Sequence, residues 1–332
     1  MSDSTTIQMW MKGLYLEQGE IRFRDDLSRP SPGDGQVLLK TRLAGICGTD
    51  LGLLRGYAGF YGVPGHEFVA DVVEVGKGVD KRWLGQRVVA EINQWCGECE
   101  QCRLHQYSHC VKRTVVGIRD HQGAFAQYLV VAAKTLHRVP EALTDEQAVF
   151  VEPLAAALRI LEQEDVRQYG HVLLIGAGRL GQLIARVLAA RGCLVSVVVR
   201  HAEQSVRLSQ LVRVKCISEH DVIPRSVDAV VEASGHPSGL ELALKALKPN
   251  GVCILKSTFF GRCDIDLSSW VVHELRLLGS RCGPFDKAVT ILVNREVDPL
   301  PLIDGRYLLS QGVEAFAHAR RKGTMKILLD MS

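Results

Sequence analysis

The sequence lacks a strong net charge, a long apolar run and an export signal. Its 332 residues include 40 basic and 37 acidic side chains, and a net charge of +3 gives no field that would hold nucleic acid. No apolar run reaches the roughly 18 residues that a membrane span needs. The N-terminal MSDSTTIQMWMKG has no basic segment followed by an apolar one. We therefore expect a cytoplasmic protein whose partners are small molecules, not nucleic acid or membrane.

Cysteine, in contrast, is plentiful, and four of the ten cysteines lie in the segment CGECEQCRLHQYSHC at 96–110. Such a cluster is compatible with a disulfide knot, a nucleic-acid finger, a catalytic metal site or a structural metal site. The cytosol keeps thiols reduced, so metal binding is favoured over disulfides. A finger is disfavoured because the segment has no basic helix. The candidate metal ligands are Cys96, Cys99, Cys102 and Cys110.

The chain is long enough for about two domains. Up to about residue 140, short strand-like runs are separated by Gly and Pro, which predicts a mostly β, barrel-like domain. Thr144 and Gln147 form a capping-box pattern, and the apolar spacing that follows predicts one helix crossing between the domains, with Pro153 either within its first turns or kinking them. After residue 170, apolar strands alternate with helical patterns, which is typical of a doubly wound parallel sheet. The last thirty residues fit either domain.

A glycine-rich turn begins the second half of the chain. In HVLLIGAGRLGQLIARV, Gly176, Gly178 and Gly181 follow an apolar strand and open a helix, with Arg179 and Leu180 between them. In this context the first glycine makes the turn, the second admits a pyrophosphate, and the third allows the helix to pack on the strand. The pattern predicts a dinucleotide-binding site.

The next strand, CLVSVVVRHAEQ, does not end in the acidic residue that usually holds the ribose of NAD. Val199 takes that place and Arg200 follows, a side chain that suits a 2′-phosphate. We therefore expect NADP in preference to NAD, with His201 as a possible second contact to the phosphate. The alternative is that Arg200 stacks on the adenine or lies in solvent while Glu203 holds the ribose.

A second set of possible metal ligands lies near the N-terminus. LAGICGTDL and VPGHEFVAD supply Cys47, His66 and Glu67, which are a thiolate, an imidazole and a carboxylate. This mixed set is typical of catalytic zinc sites, which keep one ligand position open.

The motifs GICGTD, GHE, the four-cysteine segment, VEPLA and the glycine turn occur in an order that resembles the zinc-dependent medium-chain dehydrogenase/reductases, the alcohol dehydrogenase superfamily. The resemblance spans nearly the whole chain. It implies a GroES-like, mostly β catalytic domain over 1–153, to which the chain returns at 301–332, and a Rossmann cofactor-binding domain over 154–300. The EPL at 152–154 resembles the polyol, threonine and sugar dehydrogenase branch, which favours a secondary alcohol, polyol or sugar substrate.

The resemblance also implies roles for particular residues. The four clustered cysteines would bind a structural zinc, and Cys47, His66 and a glutamate, either Glu67 or Glu152, a catalytic one. Asp50 would accept a hydrogen bond from His66. The remaining assignments are a proton relay starting at Thr49 and a contact between Lys326 and the cofactor phosphates. The sequence departs from the family at Gly52, where a histidine often ends the relay.

The implied activity is reversible hydride transfer between an alcohol and NAD(P), with two zinc ions per chain and a homodimeric or homotetrameric assembly. Two alternatives stay open. The first is a zinc-free quinone or enoyl reductase of the same superfamily, which about two bound zinc ions per chain would exclude. The second is a non-catalytic NADP-binding protein, which would bind cofactor without turning over an alcohol or carbonyl substrate.

Overall fold

The computed structural model describes residues 9–258 and 263–332. The chain divides into two compact units. The first unit combines Met1–Glu152 with Ile303–Ser332, and the second is Pro153–Leu302. The last thirty residues, which fitted either domain by sequence, therefore belong with the N-terminal part of the chain.

The first unit is built on a seven-stranded sheet with the order β16-β17-β3-β4-β5-β9, in which β8 also pairs with β3. Two further pairs, β1 with β2 and β6 with β7, are antiparallel. Numbered along the chain, the strands of this unit are β1 (Trp10–Glu17), β2 (Glu20–Ser28), β3 (Gln36–Ile46), β4 (Glu67–Val75), β5 (Arg87–Ala90), β6 (Asn93–Gln94), β7 (Thr114–Val115), β8 (Tyr128–Ala132), β9 (Leu136–Arg138), β16 (Ile303–Leu308) and β17 (Lys326–Asp330).

The core of the first unit is apolar and closely packed. Phe125 and Phe316 meet edge to face with ring centroids 5.8 Å apart, and both are buried. Burial of one such ring stabilises the fold by about 1.5 to 3 kcal/mol. The helices of this unit are α1 (Gly48–Leu53), α2 (Glu100–Arg103), α3 (Asp145–Ala148) and α10 (Gly312–Ala319). This core supports β3 and β4, the two strands that lead into the candidate metal ligands.

The second unit has a six-stranded sheet with the order β12-β11-β10-β13-β14-β15, and every neighbouring pair is parallel. Its strands are β10 (His171–Ile175), β11 (Leu194–Val198), β12 (Val214–Ile217), β13 (Val227–Glu232), β14 (Leu247–Leu255) and β15 (Arg276–Gly279). Its helices are α5 (Arg179–Ala190), α6 (Ala202–Leu208), α7 (Pro237–Ala246), α8 (Leu267–Val272) and α9 (Phe285–Val293). The strand order reverses between β10 and β13, the point at which such sheets bind ligands. The expected combination of a GroES-like unit and a doubly wound α/β unit is confirmed.

Between the two units, the single helix predicted from the sequence is two helices. The capping box forms as expected, because Thr144 and Gln147 exchange hydrogen bonds of 3.0 and 3.2 Å, but α3 is short. A new helix, α4 (Val151–Gln163), holds Pro153 in its first turn. Proline is tolerated there because the first turn of a helix leaves its N–H groups without helical partners, whereas it would break a longer helix running through from α3.

Among the described residues, we find no helix that combines the length and the apolar character needed to span a membrane.

Candidate active site

The structure gives a different reason for glycine at each of the three positions of the dinucleotide turn. Gly176 has a φ of 100°, and a Cβ there would lie 2.6 Å from the Cα of Ser234. A Cβ on Gly181 would lie 2.0 Å from the carbonyl oxygen of Gly176. Gly178 is the N-cap of α5 and has open space around its Cα, with no atom within 4 Å of a built Cβ. The first and third glycines thus close the turn, while the second leaves room beside the helix N-terminus for a phosphate group.

Arg179 and Leu180 are the first two residues of α5, and both are partly buried. Their backbone N–H groups lie at the N-terminus of α5, where the helix dipole favours a bound anion. This placement is the one expected for residues that line a pyrophosphate site.

Arg200 and His201 lie just after the C-terminal end of β11. The Arg200 guanidinium is half exposed, donates a 3.0 Å hydrogen bond to the hydroxyl of Ser238 and is 3.9 Å from a carboxylate oxygen of Glu219. His201 is exposed and forms the N-cap of α6. The backbone N–H of Arg200 donates to the side chain of Gln204, which ties this segment to α6. Ser238 is a polar neighbour of Arg200 that the sequence did not identify.

Cys47, His66 and Glu67 come together at one end of the first unit's sheet. One possible ligand atom from each lies within 4.8 Å of the others. Cys47 follows the last residue of β3, and Glu67 is the first residue of β4, paired in register with Gly45. The antiparallel pairing of β3 and β4 therefore brings the two sequence motifs together.

Asp50 lies beside two residues of this group. One carboxylate oxygen accepts a 2.7 Å hydrogen bond from the backbone N–H of Cys47, as expected of a residue in the first turn of α1. The other lies 3.3 Å from Nδ1 of His66. Burial alone would lower the pKa of His66, but the charge of Asp50 and the contact with Cys47 raise that pKa well above its usual value. Because Nδ1 faces Asp50, Nε2 is the nitrogen left for a metal.

The two remaining catalytic candidates lie in the first turns of two helices. Thr49 is partly buried in the first turn of α1, directly before Asp50. Glu152 is partly buried in the first turn of α4. Within the ranges 9–258 and 263–332, Glu152 does not belong to the group whose ligand atoms all lie within 4.8 Å.

Lys326, which the sequence placed near the cofactor phosphates, is buried in the first unit with an exposed fraction of 3%. Its ammonium group forms an ion pair with Oε2 of Glu67. A Cβ on Gly45 would lie 2.9 Å from that oxygen and 3.0 Å from Cδ of Lys326, so the missing side chain makes room for the pair. The two residues are 259 positions apart, and no spacing in the sequence signals their contact.

The four clustered cysteines form a second group. The sulfur atoms are 3.5 Å apart for Cys96–Cys110 and Cys99–Cys102, 3.8 Å for Cys99–Cys110 and 3.9 Å for Cys96–Cys102. These separations are far longer than a disulfide bond of about 2.05 Å. Four sulfurs at about 2.3 Å from a tetrahedral zinc ion would be about 3.8 Å apart. The four sulfurs therefore fit one closed tetrahedral metal site.

The electrostatic surroundings of Cys96 and Cys99 favour thiolates, whereas burial raises the pKa of the Cys102 thiol to about 11. The backbone N–H groups of Cys102 and Val111 donate to the Cys99 sulfur and lower the pKa of this thiol to about 6. Backbone donors at Glu98 and Cys99 lower the pKa of Cys96 in the same way. Since thiolates are the zinc-binding form, both groups of candidate ligands suit zinc by donor chemistry.

Comparison with known proteins agrees with this arrangement. Residues 33–141 match the alcohol dehydrogenase GroES-like domain. L-threonine 3-dehydrogenase of Pyrococcus horikoshii is 32% identical over 74% of this chain and 75% of its own. D-arabitol-phosphate dehydrogenase of Enterococcus avium is 28% identical over 92% of each chain.

Two solved structures are similar along nearly their full length. An alcohol dehydrogenase from Escherichia coli CFT073 in complex with NADH has a TM-score of 0.89 at 26% identity, covering 98% of this chain and 100% of its own. A protein assigned as a zinc-binding dehydrogenase from Sinorhizobium meliloti 1021, bound to NADP, has a TM-score of 0.88 at 26% identity, with 97% and 100% covered. On this evidence the chain belongs to the zinc-dependent alcohol dehydrogenase family of medium-chain dehydrogenases/reductases, oxidoreductases with a GroES-like domain and a Rossmann domain that binds NAD(P).

Proposed function

We propose that the protein is a zinc-dependent alcohol dehydrogenase that interconverts an alcohol and a carbonyl compound with NAD(P), and that its substrate is a secondary alcohol, a polyol or a sugar. The observation that carries the proposal is the convergence of Cys47, His66 and Glu67 within 4.8 Å, in a chain that also has the dinucleotide turn. The substrate class rests on the EPL at 152–154 and on the polyol-phosphate and threonine dehydrogenases among the relatives.

In this proposal Cys47, His66 and Glu67 hold the catalytic zinc, with Glu152 as a further candidate. Zinc bound there would supply Lewis acidity, which polarises a carbonyl and favours the deprotonated form of an alcohol near neutral pH. Asp50 holds the imidazole of His66 in the orientation that directs Nε2 to the metal. The closed set of Cys96, Cys99, Cys102 and Cys110 would hold a second, structural zinc.

The hydroxyl of Thr49 is the first proton carrier in this proposal, because it lies in α1 between Cys47 and Asp50. Gly52 cannot end such a relay, because glycine has no side chain that could carry a proton. The neighbour of this position is Tyr57, whose Cβ would lie 3.6 Å from a Cβ built on Gly52. The proton then leaves through water or through a carboxylate such as Glu152.

We further propose that NADP is preferred over NAD. The support is the half-exposed guanidinium of Arg200, which directly follows Val199, the residue at the position where NAD-preferring proteins usually have an acid. Relatives with either cofactor exist, since the two similar structures hold NADH and NADP. His201 is the second candidate contact for the phosphate.

A homodimer or homotetramer is the proposed assembly. β15 is the last strand of the described six-stranded sheet, and Leu277 on it is 49% exposed. Val271 and Val272 of α8, which precede β15 in the chain, are exposed as well. An apolar edge strand is a surface that a second copy can cover. The cytoplasmic location stays a prediction of the sequence.

The test is metal analysis together with an activity panel. We expect about two zinc ions per chain and turnover of one substrate class among primary and secondary alcohols, polyols, sugars and threonine, followed by absorbance of the reduced nicotinamide. Cys47→Ser should lose one zinc and all turnover. Turnover without a zinc ion at Cys47 would favour a zinc-free reductase. Cofactor binding without turnover, in alcohol and carbonyl panels alike, would favour a non-catalytic NADP-binding protein.

A further inference from the structure

The ion pair between Lys326 and Glu67 is unusual in its burial. The exposed fractions of the two side chains are 4% and 1%. The Lys326 ammonium group also lies 5.5 Å from the centre of the Phe150 ring, which is itself buried. Withdrawal of two charges from water is costly, and apolar replacements of buried ion pairs are often no less stable. Fold stability alone is therefore a poor explanation for this pair.

The sheet explains how the two residues meet beside the metal ligands. β3 lies between β4 and β17, and Gly45 of β3 pairs with Glu67 on one side and with Leu328 on the other. Lys326 is two residues from Leu328, so its side chain is on the same face as Glu67. The absence of a side chain on Gly45 lets the lysine reach the carboxylate across the middle strand.

Negative charges accumulate at this end of the sheet, and a cation beside them reduces their mutual repulsion. As metal ligands, the Cys47 thiolate and the Glu67 carboxylate each carry a negative charge, and the buried Asp50 carboxylate adds a third beside His66. If this carboxylate bound the metal through both oxygens, the second oxygen would compete with substrate for the position that a catalytic site must keep open. The contact with Lys326 engages one of its two oxygens.

We propose that Lys326 is a positioning residue that holds Oε2 of Glu67 and compensates the charge of this carboxylate, so that Glu67 binds the metal through Oε1 alone and leaves the fourth ligand position open. The proposal rests on the proposed metal site at Cys47 and His66. It differs from the role predicted by sequence, because a lysine engaged with Glu67 inside the first unit does not serve a cofactor phosphate.

The experiment compares Lys326→Met, Lys326→Arg, Glu67→Gln and the double variant Lys326→Met/Glu67→Gln in the full chain loaded with Co²⁺. The visible d–d spectrum reports the coordination number of cobalt, since four-coordinate Co²⁺ absorbs more strongly than five-coordinate Co²⁺. The spectrum of Cys47→Ser supplies the contribution of the four-cysteine site for subtraction. Binding of NADPH and NADH is followed by fluorescence, and folding by circular dichroism.

We expect Lys326→Met to weaken the d–d absorption, because a released Glu67 binds through both oxygens and makes the cobalt five-coordinate, and to lower kcat/KM by about 10- to 100-fold, as is typical when a partner of a metal ligand is removed. The dissociation constants of NADPH and NADH should change little. In the Glu67→Gln background, the lysine substitution should have no further spectral effect. Lys326→Arg, which keeps the charge at a different distance, should change the spectrum less than methionine does.

An unchanged cobalt spectrum in Lys326→Met, with NADPH and NADH bound about tenfold more weakly or worse, would overturn the proposal in favour of the phosphate contact. Should the methionine variant fail to fold, Lys326→Gln, which also removes the charge, takes its place, and an unchanged spectrum in that variant would overturn the proposal equally. A wild-type chain that binds metal at the four cysteines alone would remove both the proposed function and this inference. A wild type with two metals and turnover, but no spectral response to Lys326, would remove the inference alone.

Discussion

Gly181 approaches Gly176 so closely that a Cβ on Gly181 would lie 2.0 Å from the carbonyl oxygen of Gly176. Neither flexible side chains nor solvent separate the two residues, so any substitution at 181 must move backbone. The turn and the start of α5 are thereby locked together, and the helix N-terminus points where a pyrophosphate would bind.

This contact predicts opposite outcomes for two neighbouring substitutions. Gly181→Ala should destabilise the protein by about 1 to 3 kcal/mol because of the clash. Gly178→Ala should keep the stability of the wild type, since no protein atom lies within 4 Å of its built Cβ, yet weaken NADPH binding about tenfold by intruding on the pyrophosphate. Urea unfolding and fluorescence titration measure the two effects. Equal stability of both variants would contradict the structural explanation.

Arg200 should determine the choice of cofactor. Arg200→Ala removes the charge that would face a 2′-phosphate, so kcat/KM with NADP should fall about 10- to 100-fold, while the value with NAD stays nearly unchanged. Glu203→Ala is the matched variant, since Glu203 lies in the first turn of α6 just after Arg200. If Glu203→Ala instead lost activity with NAD, while Arg200→Ala left kcat/KM with both cofactors unchanged, Glu203 would be the residue that holds the ribose.

The four-cysteine group should behave as a structural metal site. Cys110→Ser removes a buried ligand, and we expect the zinc content to fall from about two ions per chain to about one, with a loss of about 3 kcal/mol or more in stability. Cys216→Ser, in β12 of the second unit, should retain both ions. Elemental analysis after gel filtration measures the zinc content of the two variants, and thermal unfolding measures their stability. Full zinc content in Cys110→Ser would exclude the four-cysteine site.

Glu164 should make the second unit's stability depend on pH. Hydrogen bonds from Arg276, 3.0 Å to each carboxylate oxygen, and from the Tyr169 hydroxyl at 2.5 Å lower the pKa of this carboxyl. A lowered folded-state pKa means that the contribution is complete above the unfolded value of about 4.3 and is lost as pH falls through the lowered pKa.

Glu164→Gln should therefore cost about 1 kcal/mol at pH 7, a small value because Arg276 is half exposed, and progressively less below about pH 4. The difference in urea unfolding between wild type and variant at each pH is the measurement. Asp165→Asn breaks the neighbouring exposed pair with Arg167 and should change stability little. A difference in unfolding that does not vary with pH would show that the contacts of Glu164 do not depend on its charge.

We expect the edge strand β15 to form the interface between subunits. Leu277→Lys places a charge on the apolar edge and should shift the protein to a smaller species in light scattering. Val212→Lys, at a position that is 81% exposed and lies away from β15 in the chain, should leave the assembly unchanged. If Leu277→Lys keeps the molar mass of the wild type, the assembly uses another surface.

Much of the fold could be predicted because its signals are local. Apolar strands alternating with helical periodicity indicated the parallel sheet, and the spacing of Gly176, Gly178 and Gly181 indicated the turn, since each depends on neighbouring residues only. The break between α3 and α4 was missed because apolar periodicity continues across it. Apolar periodicity favours one continuous helix, but Pro153 is tolerated only in the first turn of a helix, so a new helix begins just before it.

The sequence by itself determined the donor chemistry of this protein: two sets of metal-binding residue types, a dinucleotide turn, and Arg200 after a strand that ends without an acid. Only the tertiary structure decided which groups meet. It brings a ligand atom of Glu67 within 4.8 Å of those of Cys47 and His66, places Asp50 beside both Cys47 and His66, and pairs Lys326 with Glu67 across Gly45. The physical reason is that strand register sets contacts between residues far apart in sequence, and register depends on the packing of the whole sheet.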